Sequence, residues 1–217
     1  RFDSWKEERG KGKSQLQNEN DADLFLSLFW SPGTGAWWTK AYADAVYKAL
    51  PDNTAKQICV WNPGCGKGME SYSLACVLRK KYPSARLRIY AQDTDLLSVS
   101  NAPLVSIPNA VASDWYAPFL SKKANGEYTF TQDVKDSIMF EYHDCQHTNQ
   151  LPAIDIVFAR DVLSLLPQNG QEAVIADFDE KLKANGIVIV GENETLPAGS
   201  GFVEKTIGAL KVYTKNK

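Results

Sequence analysis

The chain has 217 residues, 44% hydrophobic and 23% charged, a size at which one domain with a small appendage stabilises its own core. With 24 basic and 26 acidic side chains the formal net charge is -2, so there is no global positive field to gather nucleic acid by counterion release. No run of about 18 apolar residues can span a bilayer, and Cys59, Cys65, Cys76 and Cys145 contain no CxxC pair. These features argue against membrane insertion, a zinc knuckle and a disulfide framework; the expectation is a soluble, cytoplasmic protein.

The sequence opens at Arg1 with no signal-peptide core near it, and the expectation is a piece of a longer protein with a fused domain before Arg1. Residues 1–20 are charged and polar and are expected as a flexible linker. Residues 21–55 read as a helical prelude: Asp21 or Asp23 caps a short helix through Phe29, Ser31-Pro32-Gly33 breaks it, and Trp37, Ala41, Ala45 and Ala49 mark one face of a second helix ending before Pro51.

From residue 56 to 217 the pattern is that of one α/β domain. Ile58, Val60 and Trp61 form a strand that runs into a glycine turn, followed by a helix from Glu70 to Tyr82; a second strand, Leu87 to Ala91, ends on Gln92-Asp93. The segment Tyr128 to Tyr142 carries two alternating strands joined through Asp133 and is expected to protrude as a small β-hairpin insert at about 126–142. Ile154 to Phe158 is a continuous apolar strand, Gln171 to Leu182 a helix, and Gly186 to Val190 another strand. Phe202-Val203 and Leu210 to Tyr213 close the sheet as an antiparallel pair. Strands alternating with helices predict a mostly parallel, doubly wound, Rossmann-like sheet, here with an antiparallel C-terminal strand.

The run Gly64-Cys65-Gly66-Lys67-Gly68 lies between strand and helix, where absent Cβ atoms let backbone N–H groups and the helix N-terminus approach a ligand carboxylate. Such a loop points to S-adenosylmethionine (SAM), and equally serves as a tight turn with no ligand. Asp93 stands at a strand end, where nucleotide-binding sheets place an acid for the ribose hydroxyls. Asp144, with Cys145 beside it, follows the strand Ile138 to Tyr142 and is placed for the adenine amine. Each acid alone also reads as a solvated loop residue; in register at strand ends they describe an adenosine pocket. His143 and His147 flank Asp144 without further spaced ligands, so no metal is expected. Arg79, Lys80, Lys81, Arg86 and Arg88 suit either an acidic partner helix or a solvated helix end.

The string from Cys59 to Ala75, CVWNPGCGKGMESYSLA, resembles the signature of CheR-type chemotaxis receptor methyltransferases, roughly IWSAGCSTGEEPYSLA. The resemblance continues through Ala91-Gln92-Asp93-Thr94-Asp95, similar to ATDID, through Phe158-Ala159-Arg160-Asp161-Val162-Leu163, similar to FCRNVL, and through Gly191-Glu192-Asn193-Glu194-Thr195-Leu196 and Val212-Tyr213. It implies a SAM-dependent methyltransferase fold with SAM or S-adenosylhomocysteine (SAH) as ligand. It gives Glu70 and Asp93 ligand-binding roles, with Asp144 and Asp161 where the family has asparagine. Trp37 belongs to a helix expected to close over the methionine end.

In that family SAM methylates receptor glutamates to carboxylate esters, and two active-site positions differ. The arginine of the family's NETxFFR segment falls on Thr39, and the tyrosine of NVLIYF on Leu165, a core-like side chain. Lys40 follows Thr39 but points elsewhere on a helix and lacks the planar fork that grips a carboxylate. The expected function is therefore a SAM-binding sensor or scaffold module that partners chemotaxis proteins or receptors, against an active protein-glutamate methyltransferase or a remnant used only for protein contacts.

Overall fold

Continuously buried runs make the two central strands; the one expected to be apolar from Ile154 to Phe158 carries a buried acid, Asp155, which accepts from the Cys59 N–H at 2.9 Å. Every residue of β6 (Ile154–Ala159) is buried, and so is β1 (Gln57–Pro63) beyond Gln57, as expected of strands covered on both faces. The computed structural model describes residues 29–112, 114–208 and 210–216, together with Asp3, Glu7 and Lys11. Apart from those three, the expected linker lies outside the described residues, as does the helix from Asp21 or Asp23 up to Phe29. Asp3 and Glu7 are helical, and Glu7 pairs with Lys11 at 3.0 Å, the i,i+4 spacing that supports a helix.

The remaining strands are β2 (Arg86–Asp93), β3 (Leu120–Lys122), β4 (Tyr128–Phe130), β5 (Ile138–Tyr142), β7 (Leu182–Val190), β8 (Phe202–Ile207) and β9 (Leu210–Lys215). Seven strands among the described residues form one sheet of order β5-β2-β1-β6-β7-β9-β8. Neighbours from β5 to β7 pair in parallel, and β9 runs antiparallel to both β7 and β8. This is the SAM methyltransferase fold, Rossmann-like with a reversed C-terminal strand.

The hairpin insert differs in place from the expectation. The antiparallel pair is β3 with β4, whereas Ile138–Tyr142 joins the main sheet beside β2, with Ile89 opposite Ile138 and Asp93 opposite Tyr142. A helical turn, Gln132–Lys135, separates the two strands that an alternating pattern had run together.

The helix α1 (Lys40–Ala49) buries Ala43, Val46 and Ala49, a stripe rotated from the expected one: Ala41 is exposed and Ala45 half-buried. In α2 (Met69–Lys81) every residue from Glu70 to Leu78 is buried, because α1 and an aromatic cluster cover the face turned from the sheet. There Tyr72 stacks on Phe130 at 4.5 Å and Trp37 meets Tyr116 at 5.7 Å and Phe130 at 5.8 Å. Across the sheet lies a helix over Gln168–Lys181, whose Phe178 meets Trp61 at 5.3 Å. No helix among the described residues is long and apolar enough to cross a membrane.

Candidate functional site

The strand order reverses at β1, which has β2 on one side and β6 on the other, and crevices for ligands open at such switch points beyond the strand C-termini. The loop leaving β1 is pinned there: the Cys65 N–H donates to the Gln92 carbonyl at 3.1 Å, and the Gly66 N–H to Asp93 Oδ2 at 2.7 Å. Asp93 Oδ1 accepts from the Asp95 N–H at 2.9 Å. The predicted ribose acid is thus also a brace for the glycine loop, with one bond on each oxygen and lone pairs left over.

The three glycines do different jobs. A Cβ on Gly64 would lie 2.7 Å from Val162 Cγ2, and one on Gly68 would lie 2.9 Å from the Phe140 ring, whereas a Cβ on Gly66 would meet nothing within 4 Å. All three have positive φ. Packing therefore accounts for Gly64 and Gly68, while Gly66 faces open space beside Asp93. Gly68 is the N-cap of α2 and supplies no side-chain cap, the kind of helix N-terminus that receives an anion.

Beyond β5, Asp144 accepts from the Gln146 N–H at 2.9 Å, which holds its carboxyl below the usual range; His147 Nδ1 lies 3.3 Å from Oδ2. Cys145 is half-buried. Burial pushes its thiol up to about 11 and that of Cys65 up to about 12, so both are neutral. The His143 N–H donates to the Asp93 carbonyl at 3.1 Å, joining this loop to Asp93.

Glu70 and Asp161 are brought together by the segment 31–38, which crosses the sheet end as a strap. Glu70 accepts from the Gly35 N–H, the Trp38 indole Nε1–H and Arg160 Nη1, each at 2.8 Å. Arg160 also donates to the Pro32 carbonyl and lies 4.6 Å over the Tyr42 ring. Asp161 accepts from the Ser31 N–H at 3.0 Å, the Ser31 hydroxyl at 2.8 Å and the Thr34 hydroxyl. Asp161 itself has φ 54, a left-handed conformation costly for a residue with a Cβ. Glu194 holds it, accepting from the N–H groups of Asp161, Ser164 and Gly191 at 2.8 to 2.9 Å. Burial raises the Glu194 carboxyl, with these N–H donors opposing.

Thr39 and Lys40 have structural duties. Thr39 is the N-cap of α1 and accepts from the Tyr42 N–H at 3.3 Å. Lys40 pairs with Asp44 at 2.5 Å. Leu165, expected as core-like, is 57% exposed, whereas Leu163 in the same 3-10 turn, Leu163–Leu165, is buried. Trp37, expected over the ligand, packs into the aromatic cluster of Tyr116 and Phe130 and also lines a cavity beside Arg160.

Arg160, Gln92 and Asn149 were not singled out from the sequence. Gln92 accepts from Trp61 Nε1–H at 2.9 Å and Asn149 Nδ2 at 2.7 Å, and donates to Glu141 at 3.0 Å. The available signal for Arg160 was its place next to Asp161 at the end of an otherwise apolar strand.

The chain is 23% identical over 153 residues to Chemotaxis protein methyltransferase 2 of Vibrio cholerae serotype O1, covering 64% of this chain and 52% of that protein. It is 23% identical over 172 residues to the chemotaxis protein methyltransferase of Listeria monocytogenes serovar 1/2a, covering 76% and 64%. An uncharacterized 104.1 kDa protein of Rhodobacter capsulatus is 24% identical over 144 residues, 63% of this chain and 15% of that one. The chain thus spans less than two thirds of the length of each of these relatives. Among solved structures, a TehB-like SAM-dependent methyltransferase from Corynebacterium glutamicum superposes with a TM-score of 0.51 at 15% identity, covering 91% of this chain and 97% of that one, which bears on the fold alone. Residues 33–210 match the CheR methyltransferase, SAM binding domain family, and the chain belongs to that family.

Proposed function

We propose that this domain binds SAM or SAH and acts as a cytoplasmic sensor or scaffold module of chemotaxis signalling, without methylating receptor glutamates. In this reading Gly64, Cys65, Gly66 and Gly68 cradle the ligand over the N-terminus of α2. Asp93 takes the ribose hydroxyls on its remaining lone pairs, Asp144 and Cys145 border the adenine, and Glu70, Asp161 and Trp37 lie toward the methionine end. The open space at Gly66 fits such a ligand. SAM supplies a methyl group on a sulfonium; the chain contributes binding, orientation and exclusion of water.

The observation that carries the reading against turnover is the role of Thr39. It stands where the family has its orienting arginine and is engaged as a helix cap, while Leu165, at the tyrosine position, offers no hydroxyl. Methyl transfer depends on placement to within about 1 Å, and errors of that size cost roughly 100-fold. Ground-state binding does not depend on those groups. The named activity of the Vibrio and Listeria relatives favours the second reading, an active glutamate O-methyltransferase. Tritium-methyl transfer to receptor fragments separates the two: methyl ester formed at the rate of the Vibrio enzyme would end the sensor reading.

Binding is tested by calorimetry and melting with SAH. At a hundredfold excess over Kd a ligand that binds only the folded state adds about 2.7 kcal/mol, so the melting temperature should rise. Asp93→Ala should weaken SAH about tenfold or more, since ribose hydroxyls would be left unpaired and the Gly66 N–H released. Equal affinity in that variant would misplace the ribose. Because the Trp38 indole donates to Glu70, SAH should also shift tryptophan emission, and Trp38→Phe should remove most of the shift.

A further inference from the structure

A cavity of about 440 Å3 opens between the strap, α1 and the loop after β7, with Trp37, Trp38, Tyr42, Ala45, Arg160 and Glu192 in its wall. Its charge is not what the one arginine would suggest. The Arg160 side chain is only 3% exposed and is engaged with Glu70, the Pro32 carbonyl and the Tyr42 ring. The neighbouring cations are turned to other partners: Lys40 to Asp44 at 2.5 Å, and Lys211 to the Glu194 carbonyl at 2.9 Å. Thr39, also in the wall, caps α1.

Glu192 is half-exposed and forms no salt bridge among the described residues. The Tyr42 phenol records the balance: burial pushes it up, Arg160 acts against that, and Glu70, Glu192 and Asp161 each add to the rise. Three carboxylates and one sequestered guanidinium thus act on the Tyr42 phenol. An aromatic-walled cavity with one accessible carboxylate and surplus negative charge is suited to a cation, because ring quadrupoles and the carboxylate attract it together.

We propose that this cavity binds an alkylammonium group, ion-paired to Glu192 and packed against Trp37 and Tyr42, with Trp38 buried behind them. A carboxylate would meet Glu192 with almost no exposed guanidinium to offset it. The inference does not rest on the SAM reading, and it is tested without SAM or SAH in the cell. Calorimetric titrations would use choline, Nα-acetyl-lysine N-methylamide and Nα-acetyl-glutamate N-methylamide. At least one of the two cations should bind, with a change in tryptophan emission, and the glutamate derivative should bind about tenfold more weakly or not at all. Tighter choline binding identifies a free quaternary ammonium ligand; tighter binding of the lysine derivative identifies a protein side chain.

Glu192→Gln should weaken the cation about five- to tenfold with an unchanged melting temperature. In the parent chain the affinity should fall as salt rises, a readout that stands even if the variant does not fold. The proposal is overturned by no heat from either cation up to roughly 10 mM, by glutamate binding as tightly as lysine, by indifference to Glu192→Gln in a folded variant, or by affinity independent of salt.

Discussion

Replacing Glu70 with alanine is expected to lower the unfolding free energy by about 3–5 kcal/mol, the usual cost of removing one partner from a buried ion pair. Arg160 would keep its charge, because a guanidinium does not deprotonate near neutral pH, and with its side chain 3% exposed that charge would be left buried and unpaired. The Gly35 N–H and the Trp38 indole would lose their acceptor in the same step. Urea denaturation of the two chains measures the difference. The double variant Glu70→Leu, Arg160→Met should recover a large part of the loss, since it is the unpaired charge rather than the absent pair that costs most. A single variant as stable as the parent would show that the strap is not held by this carboxylate.

The second large effect separates the glycines of the loop. Gly68→Val should destabilise by about 2–5 kcal/mol, from left-handed strain of about 1–2 and overpacking of about 1–3, because its Cβ would sit 2.9 Å from the Phe140 ring and 3.0 Å from Ala102 Cβ. Gly66→Ala should cost only the strain, about 1–2 kcal/mol, since its Cβ meets no protein atom within 4 Å. Yet Gly66→Ala should reduce SAH affinity by about tenfold or more, as a methyl group enters the space against which the ligand lies. If the variant kept full affinity, the loop would be a turn and the ligand would lie elsewhere.

Most of the sheet was legible because burial on both faces writes itself into β1 and β6 as largely apolar runs, over residues 58–61 and 156–159. The acids at strand ends were legible for a related reason: polar residues gather at the C-terminal ends of the strands, Gln92-Asp93 as the last two residues of β2 and Arg160-Asp161 directly after β6. The hairpin was not, since β3 and β4 have three residues each, too few to show a period. What no local pattern carried was the strap. Ser31 reaches Asp161 across 130 positions, and nothing near either residue announces the other. The same limit explains Thr39, whose capping role depends on where α1 begins, and Leu165, which is exposed while the equally hydrophobic Leu163 is buried.

The place of β9 governs how the sheet can be assembled during translation. Its outer neighbour β8 is synthesised first but, among the described residues, pairs with no strand except β9, so β8 leaves the ribosome as an edge without a template. Until β9 arrives, Val188, Ile189 and Val190 of β7 present an unpaired rim to solvent. A chain that lacks β9 should therefore bind chaperones and resist compaction, whereas restoring β9 should close two strand interfaces at once.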